Sequence, residues 1–201
     1  MEEIAPGLRH WTAMRETIGM EVSSYWLVPE RVVLDPVLPE EGIDAFAEES
    51  PEHVILTNRH HDRRATDFVA AYGCTVHVVR EGLHEFADGS DLDPIPFAFG
   101  DELPGGLRDH PVYSEWPDEG AVEIPRVRAL AIADGVLRTQ DGKLGFFSDD
   151  LLGDDPAAVR RGLVDGYLRL VEKLDPQLLL LAHGGPLTGD LAGTLRGVDT
   201  A

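Results

Sequence analysis

The sequence predicts an α/β fold made of layers of strands and helices, and three observations support this prediction. Short apolar segments rich in Val, Ile and Leu recur along the chain and are typical of strands. Segments with apolar residues at helical spacing lie between several of them. Clusters of polar residues directly follow strands, which is where layered α/β folds assemble their sites. A length of 201 residues is enough for one domain with a sizeable core, so we expect a single domain over residues 1–201.

The first half of the chain contains predicted strands at residues 22–28, 31–37, 53–57 and 75–79, of which the first two form a hairpin. Residues 40–49 are predicted to form a short helix. A second helix starts near Asp62 and ends at Gly73, because the residues between them place apolar side chains at helical spacing. The apolar stripe of this second helix consists of Ala65, Phe68, Val69 and Tyr72.

The second half begins with residues 81–119, which are rich in Gly, Pro and Asp and predict irregular loops with one or two short strands. Strand patterns return at residues 121–132, 135–140 and 143–148. The strongest helix pattern begins after Asp155, a suitable N-cap that Pro156 follows, and Asp175 with the proline after it ends this helix. The fully apolar residues 178–182 predict a buried strand.

The composition of the chain, above all its negative charge, makes some classes of binding partner unlikely. Asp and Glu number 37 against 17 Lys and Arg, which gives a formal net charge of −20. Such a surface repels phosphate backbones and anionic lipid, so we expect neither a nucleic-acid nor a membrane partner. The absence of a long apolar run and of a signal-peptide pattern favours a cytoplasmic location. Cys74 is the only cysteine, which excludes an internal disulfide and a zinc–cysteine cluster.

Three polar clusters follow predicted strands, at residues 58–63, 148–150 and 183–185. A rigid sheet fixes the residues at its strand ends while the loops expose them, so these clusters are expected to converge on one site.

The order and spacing of these clusters resemble those of the metallo-β-lactamase-fold hydrolases. The signature of that family is T-H-x-H-x-D-H after a strand, a later histidine, a G-D pair after a β-hairpin, and G-H-x at the end of a late strand. This chain offers ILTNRHHDR, FFSDDLLG and LLLAHGG in that order, within roughly residues 22–187. The opening hairpin is also similar, with Asp35 in its second strand. The resemblance implies a four-layered αββα sandwich with helices outside two mixed sheets.

The resemblance also implies a metal site formed by His60, Asp62, Asp150 and His183. His60 matches the second histidine of the motif, Asp62 the aspartate, Asp150 the carboxylate that bridges the metals, and His183 the terminal histidine. In the family such ligands hold Zn or Fe ions that activate a water. Asp62 is assigned the catalytic role, either as a ligand or by orienting His60.

The chain departs from the family pattern at three ligand positions. Asn58 stands in place of the first histidine, and Arg63 replaces the histidine beside the aspartate. The intermediate histidine is expected near Ala131, where there is none. The resemblance therefore implies at most one Zn or Fe ion, or none. His61 falls at a variable position of the motif and is expected to face solvent or to cap the helix.

The direction of the Arg63 side chain separates two interpretations. If it points inward, its guanidinium can pair with Asp62 or Asp150 and leave a metal-free polar core. If it points to solvent, His60, His183 and a carboxylate can hold one ion.

Three functions are compatible with these residues. The first is a divergent hydrolase in which one metal-bound water attacks an ester, an amide or a phosphoester. The second is a non-catalytic binding or scaffold protein in which an Arg–carboxylate network replaces the metal. The third is an iron oxygenase that uses two histidines and one carboxylate. The small-molecule substrate is not identified by the sequence, and the formation of a homo-oligomer is left open.

Overall fold

The computed structural model describes residues 1–16, 18–87, 89–139 and 141–201. Within these ranges the strands are β1 Glu2–Ala5, β2 Leu8–Arg15, β3 Met20–Leu27, β4 Val32–Leu34, β5 His53–Leu56, β6 Thr75–Val79, β7 Ile95–Phe97, β8 Glu102–Leu103, β9 Leu107–Tyr113, β10 Trp116–Ile124, β11 Ala129–Ile132, β12 Leu137–Arg138, β13 Leu144–Gly145, β14 Leu178–Leu181 and β15 Leu187–Thr188. The α-helices are α1 Ala65–Tyr72, α2 Pro156–Leu174 and α3 Leu191–Arg196.

The strands form two large sheets and one small hairpin. Sheet A has the order β1-β2-β3-β4-β5-β6-β7, and sheet B has the order β15-β14-β11-β10-β9-β8. Both sheets are mixed: β4 to β7 run parallel in sheet A, and β11 runs parallel to β14 in sheet B. The hairpin of β12 and β13 stands apart from both sheets.

The two sheets face each other across a central apolar layer, and helices cover their outer faces. Ile55 of β5 lies in this central layer, whereas its neighbours Val54 and Leu56 pack on the other side with Phe68 of α1. The outer face of sheet B packs against α2 and α3 in the same way. Strands that are buried on both faces are continuously apolar, which explains the runs in the sequence. The predicted four-layered αββα sandwich is confirmed.

The predicted start of α2 and the predicted end of α1 are confirmed by their capping residues. The carboxylate of Asp155 accepts a hydrogen bond from the N–H of Ala158 at 3.0 Å, and Pro156 occupies the first turn of α2. Gly73 ends α1 with a φ of 68°, in the left-handed region that glycine favours.

Other predicted elements differ from the structure. The predicted helix at residues 40–49 is a 3₁₀ turn over Ile43–Phe46, and the predicted strand at residues 121–132 is divided at Pro125 into β10 and β11. Strand β9 and the first part of β10, residues 116–120, lie in the segment that was predicted to be irregular, because they carry prolines and buried acids that are typical of loops. The predicted strand at residues 135–140 is reduced to β12, and its last residue, Gln140, lies outside the described residues.

In the described part of the chain no helix combines the length and the apolar character of a membrane span.

Helix α2 depends on a close approach to β9, and this gives a test of the outer layer. A Cβ on Gly166 would lie 2.2 Å from the carbonyl oxygen of Val112, which is backbone. The atoms nearest to a Cβ on Gly162, the closest at 2.3 Å, instead belong to the side-chain ring of the half-buried Tyr113. We expect Gly166→Ala to lower the free energy of unfolding by about 1–3 kcal/mol, because the backbone of β9 must move.

Urea denaturation of both variants measures this difference. Gly162→Ala is the matched control, because both substitutions gain about the same helix propensity, ~1 kcal/mol, and the Tyr113 ring can rotate away. Equal stabilities of the two variants would contradict the assigned contact between α2 and β9.

Candidate functional site

Four polar side chains that follow the ends of strands lie close together at one edge of the sandwich. Asp35 follows β4, His61 follows β5 after a short turn, Asp134 follows β11 and His183 follows β14. Strands β4 and β5 are parallel neighbours in sheet A, and β11 and β14 are parallel neighbours in sheet B. Their carboxyl ends therefore lie at one edge of each sheet, and the two edges meet at the site.

Two histidines converge on one carboxylate oxygen at this edge. The Nε2 atoms of His61 and His183 each lie 3.0 Å from Oδ1 of Asp134. His61 and His183 are 2% and 3% exposed, whereas the side chain of Asp134 is 17% exposed. Among the described residues these three are the group whose potential metal-ligand atoms lie within 4.8 Å of one another.

A second carboxylate holds the other nitrogen of His61. Oδ2 of Asp35 lies 3.1 Å from Nδ1 of His61. Thr57 fixes Asp35 in turn, because its N–H donates to Oδ1 at 2.8 Å and its hydroxyl donates to Oδ2 at 2.6 Å. His61 is thus held between the buried carboxylate of Asp35 from sheet A and the partly exposed carboxylate of Asp134 from sheet B.

The turn after β5 explains why His61, and not His60, faces inward. The sequence prediction assumed an extended loop, in which alternate side chains converge. The structure instead has a 3₁₀ turn over Arg59–His61, capped by the Asn58 side chain, which accepts the N–H of His60 at 2.9 Å. The tighter turn directs the ring of His61 to the cluster. The prediction that His61 faces solvent is wrong.

The structure does not bring the other predicted ligands together with His183. His60 is exposed, although it contributes to the pocket described below. Asp62, which was also assigned the catalytic role, is exposed and accepts the N–H of Arg63 at 2.8 Å. Asp150 is exposed in a 3₁₀ turn beyond the β12–β13 hairpin. Of the four residues, His183 alone belongs to the buried cluster.

Asp134 was missed because the family pattern placed the carboxylate after the hairpin, whereas in the structure it precedes β12. The sequence contained a usable signal. Asp134 directly follows the apolar run of β11, and a carboxylate at the end of a buried strand meets the same criterion that selected the other clusters.

The side chain of Arg63 points inward but does not make the predicted pairs. Its Nη1 donates to the carbonyl oxygens of Ser23 at 2.7 Å and Asp35 at 2.9 Å, and its Nη2 lies 3.5 Å from the carbonyl oxygen of Ala182. The predicted partners Asp62 and Asp150 are both elsewhere, on exposed turns. Arg63 therefore bridges sheet A to the end of β14 in sheet B.

Further hydrogen bonds join the sheets beside Arg63. The N–H of Ser23 donates to the carbonyl oxygen of Ala182 at 2.8 Å, and the Ser23 hydroxyl donates to that of Gly184 at 2.9 Å. The Tyr25 hydroxyl donates to the carbonyl oxygen of Leu181 at 2.7 Å. These contacts hold the end of β14 firmly against β3.

The electrostatics of the cluster follow from this arrangement. Burial and the nearby Arg63 oppose a charged His61, but Asp134 and Asp35 outweigh them and raise the pKa of His61 to about 9. Burial opposes ionisation of Asp134, but His61 and the hydrogen bond from His183 lower its pKa well below the usual value. Burial lowers the pKa of His183, so at neutral pH this ring is neutral.

The cluster lines a pocket of about 580 Å³. Trp116, Phe147 and Leu151 give it apolar surface, and the Phe147 ring meets His183 edge-on at 5.1 Å between centroids. Arg59 and Asp118 form an ion pair in its wall. The cluster is therefore accessible to a small molecule.

The three residues of the cluster fit one metal ion. Two imidazoles and one carboxylate are a set that binds Zn or Fe(II) and leaves positions open. The bond between Asp35 and Nδ1 of His61 is the outer contact that metal-binding histidines usually make. In His183 it is Nε2 that faces Asp134, and Nδ1 is buried without a hydrogen-bond partner in the described part of the chain.

Comparison with solved structures identifies the fold. The chain is similar to a metallo-β-lactamase from Pontibacter korlensis, with a TM-score of 0.68 and 17% identity over 98% of both chains. It is also similar to a metallo-β-lactamase family protein from Thermus thermophilus, with a TM-score of 0.66 and 15% identity over 96% of this chain and 78% of that one. A flavodiiron protein from Giardia intestinalis has a TM-score of 0.62 and 18% identity over 96% and 57%.

The chain therefore has the metallo-β-lactamase fold, as the sequence resemblance implied. Neither the protein-family models nor the curated proteins give a match.

The raised pKa of His61 gives a test of the cluster in metal-free protein. Its value of about 9 lies above the ~6.5 of an unperturbed histidine. The stabilising contribution of its charge is therefore complete below pH ~6.5 and is lost as the pH rises through about 9. NMR titration of the ring signals in chelator-treated protein should show this late deprotonation.

Asp134→Asn should lower the pKa of His61 by about one unit or more, because it removes one of the two carboxylates. His60→Ala is the control and should leave the titration of His61 unchanged. A wild-type His61 that titrates near the ordinary histidine pKa of ~6.5 would contradict the observed geometry.

Proposed function

We propose that this chain of the metallo-β-lactamase fold is a hydrolase in which His61, Asp134 and His183 hold one divalent metal ion. The ion would activate water for attack on an ester, an amide or a phosphoester. The observation that carries the proposal is the convergence of two imidazole Nε2 atoms on one carboxylate oxygen in the wall of an accessible pocket.

The ligand set suits an open, mononuclear site. Three protein ligands leave room for a water and for an oxygen of the substrate, and a bound metal lowers the pKa of such a water to near neutrality. Zn and Fe(II) both accept two histidines and one carboxylate, so the proposal covers either ion.

Asp35 prepares His61 for this role. With a proton on Nδ1 directed to Asp35, Nε2 presents its lone pair to the cluster. The hydrogen bonds from Thr57 keep the Asp35 carboxylate in place. Metal binding must displace the second proton of His61, so the affinity should increase with pH up to about 9.

Arg63 favours one ion over two. A guanidinium at about 4 Å from a dication would cost on the order of 8 kcal/mol at an effective dielectric of ~20. Arg63 already supplies positive charge next to Asp35 and Asp134, which are the carboxylates that a second ion would need.

A second candidate function, a metal-free binding protein, is favoured by the charge balance of the same residues. Protonated His61 and Arg63 together compensate the two carboxylates Asp35 and Asp134 without an ion. In that case the pocket would bind a small molecule without hydrolysing it.

The proposed partner is a small molecule in the cytoplasm for both candidates. The net charge of −20 opposes binding to nucleic acid and to anionic membranes.

Metal binding separates the two candidates. After incubation with Zn²⁺, Fe²⁺ or Mn²⁺ and desalting, we expect elemental analysis to find about one ion per chain. His61→Ala and Asp134→Asn should lose it, since each removes one of only three ligands.

The neighbouring His60→Ala is the matched control, together with Asp150→Asn, and both should keep the ion. Loss of metal in these controls with retention in His61→Ala would restore the ligand set predicted from the sequence. Wild-type protein without any ion, under all three conditions, would favour the metal-free candidate.

Hydrolysis provides the functional test. A panel of chromogenic esters, thioesters, β-lactams, other amides and phosphoesters is incubated with the metal-loaded protein. We expect turnover of one class, a loss on chelation and recovery on adding metal. Asp134→Asn should lower kcat/KM by roughly 10²-fold or more, because the variant binds the ion weakly. Activity that resists chelation and Asp134→Asn would rule out this mechanism.

A further inference from the structure

A buried carboxylate, that of Glu119, lies behind the partly exposed Asp134. Glu119 of β10 is 1% exposed. Its Oε1 accepts the N–H of Gly135 at 2.9 Å, and its Oε2 accepts the N–H of Asp134 at 3.3 Å. One side chain therefore binds both backbone donors of the turn that presents Asp134 to the two histidines.

Helix α2 fixes Glu119 from the other side. The hydroxyl of Tyr167, which is also fully buried, donates a hydrogen bond to Oε1 of Glu119. A Cβ on Gly135 would lie 2.3 Å from this hydroxyl oxygen. The turn therefore approaches Tyr167 so closely that only glycine fits at this position. The turn is thus clamped between β10 and α2.

Burying a carboxylate costs free energy unless its hydrogen bonds offset the loss of water. The hydrogen bonds of Glu119 do not go to either histidine. They go to the backbone of Asp134 and Gly135 and to Tyr167. The interaction with Asp134 concerns its backbone, and the orientation of that backbone sets where Oδ1 lies.

We propose that Glu119 is a positioning residue for the metal site, which holds the Asp134 turn so that Oδ1 meets His61 and His183 together. This inference rests on the proposed function, since the ion is the ligand that needs this placement. Tyr167 takes part by orienting Glu119.

Asp109 of β9 provides a matched control. It is equally buried, at 1% exposure, and burial raises its pKa to about 8, as it raises the pKa of Glu119 to about 7. Its carboxylate accepts the N–H of the adjacent His110 at 3.0 Å and does not bond the Asp134 turn. Asp109→Asn and Glu119→Gln therefore remove similar buried acids, of which only one touches the turn.

The test compares the Zn²⁺ affinities of the two variants at one fixed pH by competition with a chromogenic chelator. Glu119→Gln offers one oxygen for two N–H donors, so the turn loses one of its anchors. We expect a roughly 10–100-fold weaker affinity, as is typical for outer contacts of metal ligands, and an unchanged affinity in Asp109→Asn. Tyr167→Phe should weaken binding by a smaller factor.

Ring signals of His61 and His183 in chelator-treated protein provide a readout that does not depend on metal. Glu119→Gln should shift both signals, and Asp109→Asn should leave them in place. If wild-type protein binds Fe²⁺ or Mn²⁺ but not Zn²⁺, the affinities are compared with that ion instead. If it binds none of the three, the proposed metal function fails, while the ring signals still test the clamp.

The inference is overturned if folded Glu119→Gln has the wild-type metal affinity and wild-type ring signals. It is also overturned if Asp109→Asn changes the affinity and the ring signals as much as Glu119→Gln does. If Glu119→Gln does not fold, Tyr167→Phe decides: unchanged affinity and ring signals overturn the proposal, and changes in the expected direction support it.

Discussion

The carboxylate of Asp134 is the contact on which the site depends. It receives His61 from sheet A and His183 from sheet B on the same oxygen, each at 3.0 Å, so it joins the two halves of the sandwich at their edge. Parallel pairing makes this possible, because β4 with β5 and β11 with β14 end side by side. A carboxylate shared by two buried imidazoles is stabilised by a cation, either a proton on one ring or a metal ion.

Arg63 and Asp35 set the balance between these two cations. Asp35 keeps one nitrogen of His61 occupied and favours positive charge on the ring, whether this charge is a proton or a coordinated ion. Arg63 reduces the negative potential that would attract more ions, and it binds backbone carbonyls of both sheets. The same arginine therefore offsets negative charge at the site and joins the backbones of the two sheets there.

The fold was predictable to a large extent, whereas the site was predictable only in part. Continuous apolar strands and the caps of α1 and α2 are encoded locally, and the ordered motifs indicated the sandwich. His183 was found because it follows an unmistakable strand. The exchange of His61 for His60 depends on one 3₁₀ turn, which a pattern of alternating residues cannot reveal. Glu119 lies in the part of β10 that Pro, Asp and Gly obscure. Asp134 follows the apolar run of β11 and was missed because the family pattern placed the carboxylate after the hairpin. The contact between these two residues comes from pairing across the chain.

The hydrogen bonds that cross between the sheets have a consequence for folding. His61 and Asp134 are 73 residues apart in sequence, and Ser23 and Gly184 are 161 apart. Contacts with such separations close long loops, and they form only after much of the chain has lost its conformational freedom. No single half of the chain contains the centre. Occupancy of this centre would thus report that both sheets have folded and docked against each other.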